Sequence, residues 1–157
     1  MKIIFYILFL GLFLTTNSFS FGSKIGKGEL KFSNQTLENF IKYINHIESE
    51  TFIVSKNGIY SNYSTCRRPL YTPWLGCSGG SGAATTMLKN CKKTSGVKCF
   101  IFAKRKYNEK INKKIIRWNN VDYEFLLPIK DLWKMEYYNI SREEIIKVLS
   151  KNRFIDQ

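Results

Sequence analysis

The chain has 157 residues and carries 25 Lys and Arg against 12 Asp and Glu, a formal net charge of +13. With 12 Phe, 9 Tyr and 3 Trp it holds too much buriable aromatic surface to be a disordered chain. The length fits one ordinary domain, and the cationic surplus points to anionic partners.

Lys2 is followed by an uninterrupted apolar run from Ile3 to Leu14, then Thr15, Thr16, Asn17 and Ser18-Phe19-Ser20. A positive start, a short apolar stretch and a small-x-small exit describe a cleavable export signal over residues 1–20. The run is shorter than the about 20 apolar residues a spanning helix needs. An uncleaved anchor is the competing reading, and a lipid anchor is disfavoured because no Cys sits near the cut. The mature chain is therefore expected to be periplasmic or secreted, with no transmembrane segment.

Residues 21–31 are rich in Gly and Lys and read as a flexible lead-in to a single domain over 32–157. Ser33 or Asn34 can cap a helix in which Leu37, Phe40, Ile41 and Ile44 share one face, running to about Ile47. Thr51–Ser55 and Ile59–Tyr63 are strand-like and flank Lys56-Asn57-Gly58, which predicts a hairpin with a type I′ turn. Residues 66–82 carry Pro69, Pro73 and four Gly and read as a loop. A short helix follows over Ala83–Lys93, with Ala83, Ala84, Met87, Leu88 and Cys91 on one stripe and Gly96 as its stop.

Val97–Ala103 is apolar on both faces at its centre, which fits a central strand. Residues 108–114 read as a charged turn and Ile115–Trp118 as the partner strand. Tyr123–Leu127 is extended, Pro128 interrupts it, and Asp131–Tyr138 is expected as a short helix or turn. Ser141-Arg142-Glu143-Glu144 is a capping box opening a last helix through Ile145, Ile146, Val148 and Leu149. The sum is an α+β domain: a small, mostly antiparallel sheet of four or five strands with two or three helices, the first two covering one face.

An even set of cysteines, Cys66, Cys77, Cys91 and Cys99, reads in an exported chain as a disulfide framework with three connectivities. No C-x-x-C pair is present, so neither a zinc ribbon nor a redox dithiol is expected. Cys91 near a helix end and Cys99 at the next strand's start form a sterically reasonable pair, leaving Cys66 with Cys77.

Gly26-Lys27-Gly28-Glu29-Leu30, Phe52-Ile53-Val54-Ser55, the Cys91…Gly96…Cys99 segment, Phe102-Ala103 and Ile116-Arg117-Trp118 carry a further signal. Together with the export signal they resemble an uncharacterised group of small exported, cysteine-containing proteins of low-GC marine alphaproteobacteria. The resemblance covers residues 1–118; the Cys66–Cys77 loop is longer here and the C-terminal third differs. It implies export and disulfides, and no activity.

Charge is concentrated from Lys89 to Arg117, where 11 basic residues face Glu109 alone. The candidate anion-binding residues are Lys92, Lys93, Lys104, Arg105, Lys106 and Arg117. An anionic envelope polymer, a lipid surface or a protein is the expected partner. A Lys-rich surface drawn from AT-rich codons accounts for the same charge without a ligand. Phe100 and Phe102 are interleaved with these cations as in single-strand nucleic-acid binders, but they belong to an apolar strand, and nucleic acid is not expected outside the cytoplasm.

Ser78-Gly79-Gly80-Ser81-Gly82 precedes a helix and could cradle an anion, yet it lacks the G-K-[S/T] of a phosphate loop. Gly79–Ala83 is one residue off a nucleophile elbow, and His46, the one histidine, lies upstream rather than downstream. Glu48/Glu50 and Glu143/Glu144 are the paired carboxylates, the second pair placed in a helix first turn. No catalytic residue, cofactor or metal ligand is expected. The leading reading is a non-enzymatic exported binding or structural module; the alternative is a small envelope enzyme or enzyme inhibitor using the Cys66–Gly82 loop.

Overall fold

Ser33 has extended backbone and its hydroxyl accepts from the Thr36 amide at 3.2 Å, which starts α1 over Asn34–Asn45. The helix buries Phe40, Tyr43 and Ile44 and ends just short of the expected Ile47, where His46 turns to extended backbone. In the computed structural model, residues 25–66, 81–108, 110–119, 121–129 and 137–156 are described. The expected export signal, residues 67–80 of the loop and the element expected at 131–136 lie outside the described residues.

Strands β1 (Ser49–Ser55) and β2 (Ser61–Thr65) form the expected hairpin. Its turn is not type I′: Gly58 has φ +70°, whereas Asn57 does not adopt positive φ. The Asn57 side chain instead accepts from the Ser55 hydroxyl at 2.7 Å and the Ile59 amide at 3.3 Å. Gly58 is held from outside as well, since a Cβ there would lie 1.6 Å from the Lys31 carbonyl oxygen.

Helix α2 (Ser81–Ser95) extends the expected Ala83–Lys93 helix at both ends. Gly96, with φ +71°, donates its amide to the Lys92 carbonyl at 3.0 Å and closes it. Strand β3 (Cys99–Asn108), β4 (Ile111–Trp118) and β5 (Val121–Leu126) follow, and α3 (Arg142–Lys151) is capped by Ser141, which accepts from the Glu144 amide at 3.1 Å. Among the described residues the fold is thus α+β, a five-stranded antiparallel sheet in the order β2-β1-β3-β4-β5 with three helices. The long apolar strand is central, as its two-sided pattern requires.

Three expectations need correction. Residues 111–114 are strand rather than turn, because their polar alternate positions find buried partners, Asn112 with the Pro128 carbonyl at 2.6 Å and Lys114 with helix carbonyls. The first two helices cover opposite faces, not one. Phe52, Val54, Phe100, Phe102, Ile116, Trp118 and Phe125 pack with α1 and α3, while Ile53, Cys99 and Ile101 pack with Ala84 and Cys91 of α2. Strands apolar at every successive position cannot be sealed from one side.

The lead-in is also built into the fold from residue 25 onward. Ile25 bridges to Ile101, the Trp118 indole N–H donates to the Gly28 carbonyl at 2.8 Å, and Leu30 is only 3% exposed. A Cβ at Gly26 would lie 1.9 Å from the Trp118 ring, so only glycine fits beneath it.

The expected Cys91–Cys99 disulfide is present, with its Cα atoms 6.1 Å apart, and it ties the end of α2 to the start of β3. Cys66 is disulfide-bonded too, and its expected partner Cys77 lies outside the described residues.

Candidate functional site

The charged residues of β3 and β4 are sorted by strand alternation. Lys104 pairs with Ile115, Lys106 with Lys113, and Arg105 with Lys114. Side chains on a strand point alternately to its two faces, so residues 104, 106, 113, 115 and 117 share the α2 face, and 105, 114 and 116 share the α1 face.

On the α2 face, the sheet beyond the helix forms a cleft of about 370 Å³. Ile25, Ala84, Ile101 and Ile115 supply its apolar lining, and Lys104, Lys106 and Arg117 its cationic rim. Arg117 has only a loose pairing with Asp122 at 3.9 Å, its side chain 59% exposed. Lys113 is paired with Glu124 at 2.5 Å. The structure thus brings together three of the six expected anion-binding residues.

The other three sit elsewhere. Lys92 and Lys93 are exposed in the last turn of α2, where positive charge complements the helix dipole, and neither lines the cleft. Arg105 borders the cleft, but its side chain is 1% exposed and its guanidinium serves the opposite face. There it donates to the Ile47 carbonyl at 2.5 Å, to Asn112 Oδ1 at 3.2 Å and to the Tyr138 hydroxyl at 3.2 Å. A guanidinium with these partners is held in place as structure, not offered to a ligand.

Arg105 belongs to a buried polar cluster that sequence reasoning missed. Lys114 is fully buried and its ammonium donates to the carbonyls of Tyr43, Ile44 and His46, the last two at 2.8 Å. These are carbonyls at and just beyond the end of α1, which have no intrahelical donor. The amine also lies 4.8 Å from the Tyr43 ring centroid and 5.2 Å from that of Tyr138. Burial pulls Lys114 well below the usual lysine range, helped by the Arg105 charge and opposed by Glu50. Burial pushes Glu50 upward, against the pull of Arg105 and Lys114. Tyr43 and Tyr138 are raised by burial as well.

His46 stands at the edge of this cluster, its Nδ1 accepting from the Glu48 amide at 3.1 Å. Among the described residues no buried side-chain nitrogen or oxygen lacks a partner. Within this matched network Lys114 takes up the carbonyls at the end of α1 and so terminates the helix. The signal that could have found Lys114 is its phase: in a strand, 112, 114 and 116 face the same core.

Of the other candidates, Ser81 and Gly82 open α2, whereas Ser78, Gly79 and Gly80 lie outside the described residues. Glu143 and Glu144 occupy the first turn of α3. Among the described residues no group of His, Cys, Asp and Glu could hold a metal ion, and no helix is long and apolar enough to cross a membrane. No protein-family model matches the chain, and neither a curated protein nor a solved structure matches it.

Proposed function

We propose that the protein is an exported, non-enzymatic binding module that holds an anionic envelope component on the open face of β3 and β4. The observation that supports it is the convergence of Lys104, Lys106 and Arg117 around one cleft. Neither Lys104 nor Lys106 has an acid partner among the described residues. Clustered cations beside low-dielectric walls focus potential and draw anions. The disulfide and the apolar run at residues 3–14 support maturation in an oxidising space outside the cytoplasm.

Retention on a heparin resin tests this reading. The triple variant Lys104→Gln, Lys106→Gln, Arg117→Gln should elute at clearly lower salt than a charge-matched triple variant of Lys89, Lys92 and Lys93. Equal elution of the two would overturn it, because retention would then follow net charge alone.

A further inference from the structure

We infer that the occupant of this cleft is a single-chain anionic amphiphile, bound as a monomer with its head on the cations and its apolar body on the cleft floor. The inference rests on the anion-binding reading and specifies its ligand class. Its basis is the register around Ile115. Lys104 stands directly across from Ile115, and Lys106 lies diagonal to it; Lys113 and Arg117 flank it two residues away on β4. Diagonal cross-strand neighbours lie about 7–8 Å apart, within reach of long side chains. Lys104, Lys106 and Arg117 thus border an apolar centre, while Glu124, across from Ile115 on β5, takes up Lys113.

That arrangement suits neither a simple polyanion nor a neutral lipid. A polyanion would pair with Lys104, Lys106 and Arg117 and make no use of the apolar lining of Ile25, Ala84, Ile101 and Ile115. A neutral apolar molecule would leave the cations unused. The cleft volume, about 370 Å³, falls in the range of about 300–1,000 Å³ typical of sites for small organic molecules, which are mostly apolar with a few placed polar groups. The apolar lining is recessed, with Ala84, Ile101 and Ile115 each at most 7% exposed, whereas the exposed Leu126, which pairs with Lys113 and so shares this face, stands outside the lining.

Calorimetric titration of the disulfide-bonded chain with linear carboxylates from butanoate to decanoate, all below their micelle concentrations, tests the inference. Affinity should rise at least twofold per added methylene, since each buried CH₂ adds to binding. Decanol should bind at least tenfold more weakly than decanoate. Ile115→Asn should weaken decanoate at least tenfold while leaving heparin retention unchanged, and Ile25→Asn should act in the same direction should the first variant fold poorly. A flat chain-length series, or decanoate binding seen only when it is embedded in vesicles, would overturn the amphiphile. Heparin retention by the same samples then reports separately on anion binding.

Discussion

The two faces of the sheet are built on different principles. The α1 face is sealed by aromatic rings. Phe40 lies 5.1 Å from Phe52 and 5.4 Å from Phe102, and Phe102 is 4.9 Å from both Phe32 and Phe154, so the segments flanking both ends of the domain close over it. The α2 face has an aliphatic patch of Ile53, Ile101, Ala84 and Cys91, pinned by a disulfide, and beyond it a cationic cleft. One face uses its side chains for packing, and the other leaves Lys104, Lys106 and Arg117 at the rim of a cleft. The difference teaches that the charge of this chain is not one surface: Arg105 and Lys114 are structural cations on the closed face, whereas Lys104, Lys106 and Arg117 belong to the open one.

The largest effect should come from breaking the closed face at its centre. Phe102→Ala should cost about 3–5 kcal/mol in denaturant unfolding, the usual range for a buried aromatic truncated to Ala. Ile101→Val, one residue away on the other face, should cost about 0.5–1.5 kcal/mol. A cost below about 2 kcal/mol for Phe102→Ala would show that the aromatic seal of the closed face does not carry the stability assigned to it.

The second effect concerns the covalent link on the open face. The sequence separation of 8 between Cys91 and Cys99 corresponds to about 2.5 kcal/mol on the loop-entropy view of a disulfide. The double variant Cys91→Ala, Cys99→Ala should lose about that much in denaturant unfolding, with hydrogen exchange rising in α2 more than in α1. Equal rises in the two helices would show that α2 is held by packing alone.

Much of the fold was legible because its local signals agree with its packing. The Ser33 cap, the i, i+3, i+4, i+7 stripe of α1 and the two-sided apolar run of β3 each imply one solution, and each is found. The assignment of helices to faces was not legible, since an apolar stripe says only that a helix is covered, not by which side of the sheet. Glycine misled in the opposite direction: Gly26 and Gly28 look like a flexible lead-in, but Gly26 is glycine because the Trp118 ring leaves no room for a Cβ. At the candidate site, counting charge along the chain located the segment that carries the cations of the cleft. It could not divide that segment between the faces until the β3–β4 register was known, which is why Arg105 entered the expected site and Lys114 was passed over.

The smallest effect sharpens the comparison from the closed side, through Glu50. Its carboxylate lies 3.7 Å from Arg105, and burial nevertheless raises its pKa above the ordinary carboxylate value. A raised folded-state pKa means that the native protein holds the proton more tightly than the unfolded chain does. The stability contributed by the protonated carboxyl is then fully present below the unfolded value of about 4.3 and is lost as pH rises through the higher folded value. Glu50→Gln keeps the shape without the charge, and Arg105 retains its bonds to Ile47, Asn112 and Tyr138. The variant and the parent should therefore be alike in stability near pH 4, the variant should gain as pH rises, and the gap should level off near neutrality. Urea unfolding at a series of pH values from 3 to 8 reads this directly. A gap that stays constant would mean that the Arg105 pairing balances the burial of the carboxylate, and one that favours Glu50 at neutral pH that the pairing outweighs it, so that the closed face uses its acid as an ion-pair partner.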